Sequence, residues 1–195
     1  MKKERLETFF DAVLAIIMTI LVLDLPDPKT PTPMGVWDLR ESYFVYALSF
    51  FWVATMWVNI YRQWHTIHRI NGRVLWAAVT VLFFSSLVPY VTSYAGLNIH
   101  NPFVQTMYGS IILLVTIFRL IMNEQMARIN QDNSIIIHCF SEVRKWSYID
   151  IALKLLGIVL AYFVWPPISM IMIVIATSTY TLMVDRLERR YDFFA

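Results

Sequence analysis

Along the chain, apolar residues fall into long runs separated by short polar or proline-bearing breaks. A membrane-spanning helix takes about 20 mostly apolar residues, and six stretches reach that length. They run from about Leu6 to Leu25, Tyr43 to Trp64, Val74 to Tyr94, Phe103 to Met122 and Trp146 to Val164, and from the turn Trp165-Pro166-Pro167 to about Val184. Pro26, Pro28, Pro31 and Pro33 end the first, and a polar stretch from Asn123 to Lys145 parts the fourth from the fifth. Hydrocarbon offers no hydrogen-bond partners, so each span is expected to be a helix that satisfies its own backbone. The alternation of an outer-membrane barrel is missing. The spans use most of the 195 residues, which predicts one all-α integral membrane domain over 1–195 with no separate soluble domain.

Composition sharpens this. Hydrophobic residues make up 58% of the chain and charged residues 15%, against about 25% charged in an average soluble domain. That excludes a disordered chain and an ordinary water-soluble fold. A net charge of +2 gives nucleic acid no footing. Cys139 is the single cysteine, so an intrachain disulfide and a cysteine-based zinc site are excluded. Lys2, Lys3 and Arg5 precede the first span as they precede a secretory signal, but Asp11 interrupts its apolar run and no small-x-small site precedes Pro26. The first span is therefore expected to stay in the mature chain.

Basic residues set direction. Lys2, Lys3 and Arg5 precede the first span; Arg62, Arg69 and Arg73 belong to the second connection; Arg119, Arg128, Arg144 and Lys145 belong to the fourth; Arg186, Arg189 and Arg190 follow the last span. These thirteen stand against Lys29 and Arg40 on the other side, so both termini are expected in the cytoplasm.

Ionisable groups at membrane depth are costly and mark candidate sites. Lys154 lies in the fifth span, four residues after Asp150, a spacing that lets the pair neutralise itself on one helix face. His65 and His68 stand at the inner end of the second span with no carboxylate or cysteine to complete a metal site, and read as interfacial side chains. Ser85 and Ser86 have no histidine at their depth, and no HExxH, GxSxG or Walker loop occurs, so an enzyme is not expected. A secondary carrier, proton-coupled through Asp11, is the competing class. Carriers favour helices broken by glycine or proline; here Gly109 and Gly157 fall inside spans, and Pro89 is the one proline well inside.

In the first span Ile16, Thr19, Ile20 and Leu23 follow the i, i+3, i+4, i+7 rule and share one face. Asp11 lies about 140° around the helix from Ile16, off that stripe. Taken alone, the stripe is simply accounted for by packing. The segment from Arg5 to Asp24, however, resembles the signature of the lysosomal potassium channel family (transmembrane protein 175) and its bacterial relatives, R-x-x-x-F-S-D followed by an apolar helix ending in L-x-L-D/E. Arg5, Phe9 and Asp11 match, while Phe10 stands where the family has serine. Trp57-x-Asn59 with Arg62 and His65, Leu75-Trp76, Leu87-Val-Pro89-Tyr-x-Thr92 and Tyr108-Gly109 extend the resemblance over the whole chain.

The resemblance implies a potassium-permeable cation channel in a bacterial inner membrane, a homotetramer around one pore lined by the first helix. Its pore face would be Ile16, Thr19, Ile20 and Leu23, with Ile16 at the hydrophobic constriction. K+ and other monovalent cations would be the permeating partners, with no cofactor. Without a TVGYG segment, and with no glycine in the first span, selectivity would rest on side chains, with Thr19 the only hydroxyl from Ala12 to Leu23. Asp24 and Asp27 would gather cations at the outer mouth. Asp11 needs donors, and the antiparallel spans bring Trp57, Asn59, Arg62 and Trp76 to its level. A network among these is expected to fix the rotation of the first helix, with Arg5 anchoring its inner end.

Overall fold

The computed structural model describes residues 3–130 and 134–191. They form eight helices: α1 (Lys3–Leu23), α2 (Pro33–Trp37), α3 (Arg40–Thr66), α4 (Gly72–Ser85), α5 (Val88–Leu97), α6 (Pro102–Ile129), α7 (Ser134–Phe163) and α8 (Ile168–Tyr191). α1, α3, α6, α7 and α8 each have the length and apolar character to cross a bilayer, and α4 and α5 cross together as Gly72–Leu97. The six predicted spans are therefore present, and the chain is a multi-pass membrane protein.

Local chemistry sets several boundaries. Asn71 caps α4, its Oδ1 accepting from the amides of Arg73 at 2.9 Å and Val74 at 3.0 Å. Asn101 does the same for α6, where Pro102 takes the first helical position. The proline cluster after the first span holds one short helix, α2, capped by the Thr32 hydroxyl on the Gly35 amide. Pro89 breaks the third span, since it has no N–H to offer the Ser85 carbonyl. The chain turns there through Leu87, whose amide reaches back to the Phe84 carbonyl at 3.2 Å, and α5 restarts at Val88.

Most of the polar stretch from Asn123 to Lys145 is helical. α6 continues to Ile129 and α7 has begun by Ser134. Falling hydropathy marks where a chain leaves hydrocarbon; Glu124, Gln125, Met126, Ala127 and Arg128 are all good helix formers and carry the helix into water. Arg119 is likewise displaced from the fourth connection: it is buried inside α6. Twelve basic residues remain on that side, still far more than the two opposite.

At one end of the bundle, the α3–α4 loop is tied to Asn130, which is buried at the C-terminal end of α6. Its Oδ1 accepts from the amides of His68 and Arg69, both at 3.0 Å. Its Nδ2 donates to the carbonyls of Arg69 at 3.1 Å and Met126 at 2.9 Å. Lys3 at the start of α1 donates to the Ile67 carbonyl of the same loop at 2.9 Å. At the other end the Ser93 hydroxyl of α5 holds the Asp24 carbonyl at 2.9 Å. Two glycines set close helix approaches: a Cβ on Gly96 would lie 2.9 Å from the Ser42 Cα, and one on Gly157 would lie 2.7 Å from the Met172 Cβ. Such small residues let helices approach where apolar burial drives nothing.

Candidate functional site

α1 has two unlike faces. Leu6, Phe10, Leu14, Ile17 and Leu21 are buried, spaced four, four, three and four residues apart, and they pack against α3, α4 and α5. The predicted stripe lies away from this face. Ile16 is 57% exposed, Leu23 is 78% exposed, and Thr19 and Ile20 are exposed too. These residues point away from the chain's own core, so contacts within the chain do not account for the stripe. Thr19 donates its hydroxyl hydrogen to the Ile16 carbonyl at 2.8 Å, which leaves its oxygen free to accept. Asp24 and Asp27 are exposed just beyond the end of α1.

Asp11 is exposed and takes one of the four predicted donors: the Trp57 indole N–H reaches its Oδ1 at 2.8 Å. The other candidates lie elsewhere. Asn59 donates to the Thr181 hydroxyl at 3.1 Å, and Arg62 pairs with Asp185, both on α8. Trp76 is exposed on α4. The reason is angular. Asn59 is two residues from Trp57, about 200° around α3, so the two cannot serve the same helix. Trp57 faces α1 and Asn59 faces α8. Arg5 and Phe9 are exposed near the start of α1. Phe10, in the family's serine position, is buried with its ring 5.7 Å from that of Trp64. His65 lies in the last turn of α3 with its Nδ1 3.0 Å from the Tyr61 carbonyl, and His68 lies in the following loop, so the two sit on different elements.

Behind the first helix lies a buried ionic cluster that the sequence disclosed only in half. Lys154 and Asp150 pair as their spacing predicts, at 2.8 Å. Lys154 also donates to the Thr116 hydroxyl at 2.9 Å. Arg119 lies 3.6 Å from the same Asp150 oxygen and 4.3 Å over the Tyr180 ring, whose hydroxyl accepts from Gln63 at 3.0 Å. Lys154 and Asp150 are each 2% exposed. The cluster ties α3, α6, α7 and α8 together and carries two cations on one carboxylate. A positively charged residue within the bounds of the fourth span was the available signal.

Residues 5–89, which hold α1, its stripe and Asp11 with Trp57, match the family described as the endosomal/lysosomal potassium channel TMEM175. A potassium channel of Chryseobacterium sp. is 34% identical over 165 residues, covering 84% of each chain. A potassium channel of Streptomyces collinus is 33% identical over 93 residues, 46% of this chain and 45% of that one. The crystal structure of a lysosomal potassium-selective channel TMEM175 homolog from Chamaesiphon minutus has the same fold, with a TM-score of 0.73 at 21% identity over 99% of this chain and 98% of that chain. Similarity at this identity and over this much of the Chryseobacterium channel places the chain in the TMEM175 family of potassium channels.

Proposed function

We infer that the protein is a potassium-permeable cation channel, and that four copies enclose a pore lined by α1. The observation that carries this reading is the outward turn of the stripe. Ile16, Thr19, Ile20 and Leu23 leave their own subunit's core, and the stripe includes the one hydroxyl between Ala12 and Leu23. Membership in a potassium channel family supports it. In a fourfold assembly the apolar members would form rings that narrow the pore and gate it by dewetting. Four Thr19 oxygens, their hydrogens committed to the Ile16 carbonyls, would present lone pairs to a dehydrating cation. Few oxygens replace hydration in such a pore, so conduction would be slow and discrimination moderate. Asp24 and Asp27 would concentrate cations at the outer mouth. Asp11, held by Trp57, is a positioning residue that sets the rotation of α1. The basic bias puts both termini in the cytoplasm, and the bacterial relatives support a bacterial inner membrane.

The test is a planar-bilayer recording of the purified protein under bi-ionic potassium/sodium conditions. Unitary current steps with a potassium preference are expected, and Thr19→Ala is expected to shift the reversal potential toward sodium. A saturating flux without unitary steps would replace the channel with a carrier. Unitary currents with an unaltered reversal potential in Thr19→Ala would remove Thr19 from the ion path.

A further inference from the structure

Where α6 reaches the water and α7 begins, at the end of the bundle where α1 starts and α8 ends, the two helices leave a cavity of about 220 Å³. Leu120 and Phe140 give it an apolar wall, and Arg128 from α6 and Arg144 from α7 stand at its mouth. Asn123 closes its inner side, 2% exposed, and neither its Oδ1 nor its Nδ2 has a hydrogen-bond partner among the described residues. A buried amide left unpaired is costly, and native structures seldom leave one so. Arg128 and Arg144 likewise make no ion pair or side-chain hydrogen bond among the described residues. Glu124 lines the same cavity without reaching either guanidinium. The site is thus two cations, one carboxylate and a buried amide beside an apolar wall.

We propose that this cavity binds an anionic glycerophospholipid, with the headgroup phosphodiester between Arg128 and Arg144 and the Asn123 amide donating from within. Guanidinium groups match phosphate oxygens in geometry and charge. The depth is that of lipid headgroups, where basic pockets between helices take anionic lipids. The walls at Leu120 and Phe140 suit the glycerol ester and first methylenes of an acyl chain, which a soluble phosphate ester lacks. Glu124 disfavours a bare phosphate dianion and accepts hydrogen bonds from headgroup hydroxyls, as phosphatidylglycerol would supply.

Native mass spectrometry of the delipidated full chain, titrated separately with dioleoylphosphatidylglycerol, dioleoylphosphatidylcholine and glycerol 3-phosphate, tests this. Phosphatidylglycerol is expected to bind about tenfold more tightly than phosphatidylcholine and about a hundredfold more tightly than glycerol 3-phosphate. Arg128→Gln with Arg144→Gln is expected to erase about tenfold of that preference. Both arginines are exposed, so size exclusion is expected to show an unchanged assembly. Should that variant misassemble, Asn123→Leu keeps both charges and is expected to weaken phosphatidylglycerol about fivefold. Equal binding of the two lipids, or undiminished phosphatidylglycerol binding in whichever variant assembles, overturns the proposal. Glycerol 3-phosphate binding as tightly as the lipid overturns the lipid assignment in favour of a soluble phosphate ester.

Discussion

Asp150 is one carboxylate serving two buried cations, and that imbalance predicts unequal effects from removing either partner of its closest ion pair. In Asp150→Asn the side chain keeps its size but loses its charge, leaving Arg119 and Lys154 to repel one another across a neutral amide. A unit pair at about 4 Å is worth about 4 kcal/mol in the effective dielectric of such sites. Asp150 makes two pairs of that kind, at 2.8 and 3.6 Å. Relief of the buried carboxylate's desolvation offsets several kcal/mol of this, so the expected net loss is about 3–5 kcal/mol, as when other buried pairs lose one partner. Lys154→Met behaves differently. It leaves Arg119 and Asp150 as a neutral pair, removes the repulsion between the two cations, and replaces a buried ammonium with an apolar chain of similar length. Its stability is expected to stay within about 1 kcal/mol of the parent. Equilibrium unfolding by dodecyl sulfate in mixed micelles, followed by tryptophan fluorescence, measures both. An Asp150→Asn protein as stable as the parent, or a Lys154→Met protein destabilised as much as Asp150→Asn, would refute the reasoning.

Three further outcomes are expected. Gly96→Ala brings a methyl group against the Ser42 backbone at 2.9 Å, and the same unfolding assay is expected to register a loss of about 1–3 kcal/mol. Trp57→Phe takes the indole N–H from Asp11, which is expected to cost about 1 kcal/mol and reduce channel activity while leaving the reversal potential unchanged; a shifted reversal potential would place Trp57 on the ion path. Asp24→Asn with Asp27→Asn is expected to lower unitary conductance at low potassium and leave it nearly unchanged at high potassium, where salt screens the mouth; equal reduction at both concentrations would defeat the concentrating role.

The spans could be read from sequence because burial in hydrocarbon demands uninterrupted apolar length, and nothing else in the chain imitates it. Helix interruption by Pro89 was also written locally, in a missing N–H. The stripe on α1 was legible as a face but not in its sense: periodicity tells which residues share a side, and only the packing of Leu6, Phe10, Leu14, Ile17 and Leu21 tells which side is inward. The donors to Asp11 were over-counted because depth was considered without angle; Trp57 and Asn59 share a level but face opposite ways. Lys154 was paired correctly because its partner sits four residues away. Arg119 is 31 residues from Asp150, joined to it only by α6 lying on α7, and its nearness to a polar stretch disguised it as a loop charge. Asn130 carries little local pattern, since apart from the Met126 carbonyl its side-chain partners are backbone groups of a loop some sixty residues earlier.

That distance gives Asn130 a part in the order of biosynthesis. A ribosome releases the α3–α4 loop long before it makes residue 130, and chains begin folding from the N-terminal side as they emerge. Until then the amides of His68 and Arg69 have only water to bond, and the loop that anchors Lys3 is unbraced. Completion of the fourth span delivers the side chain that locks the first connection on its side of the membrane. Insertion of the later helices thus finishes the earlier ones, and a nascent chain halted before Asn130 would carry spans whose shared end is still untied.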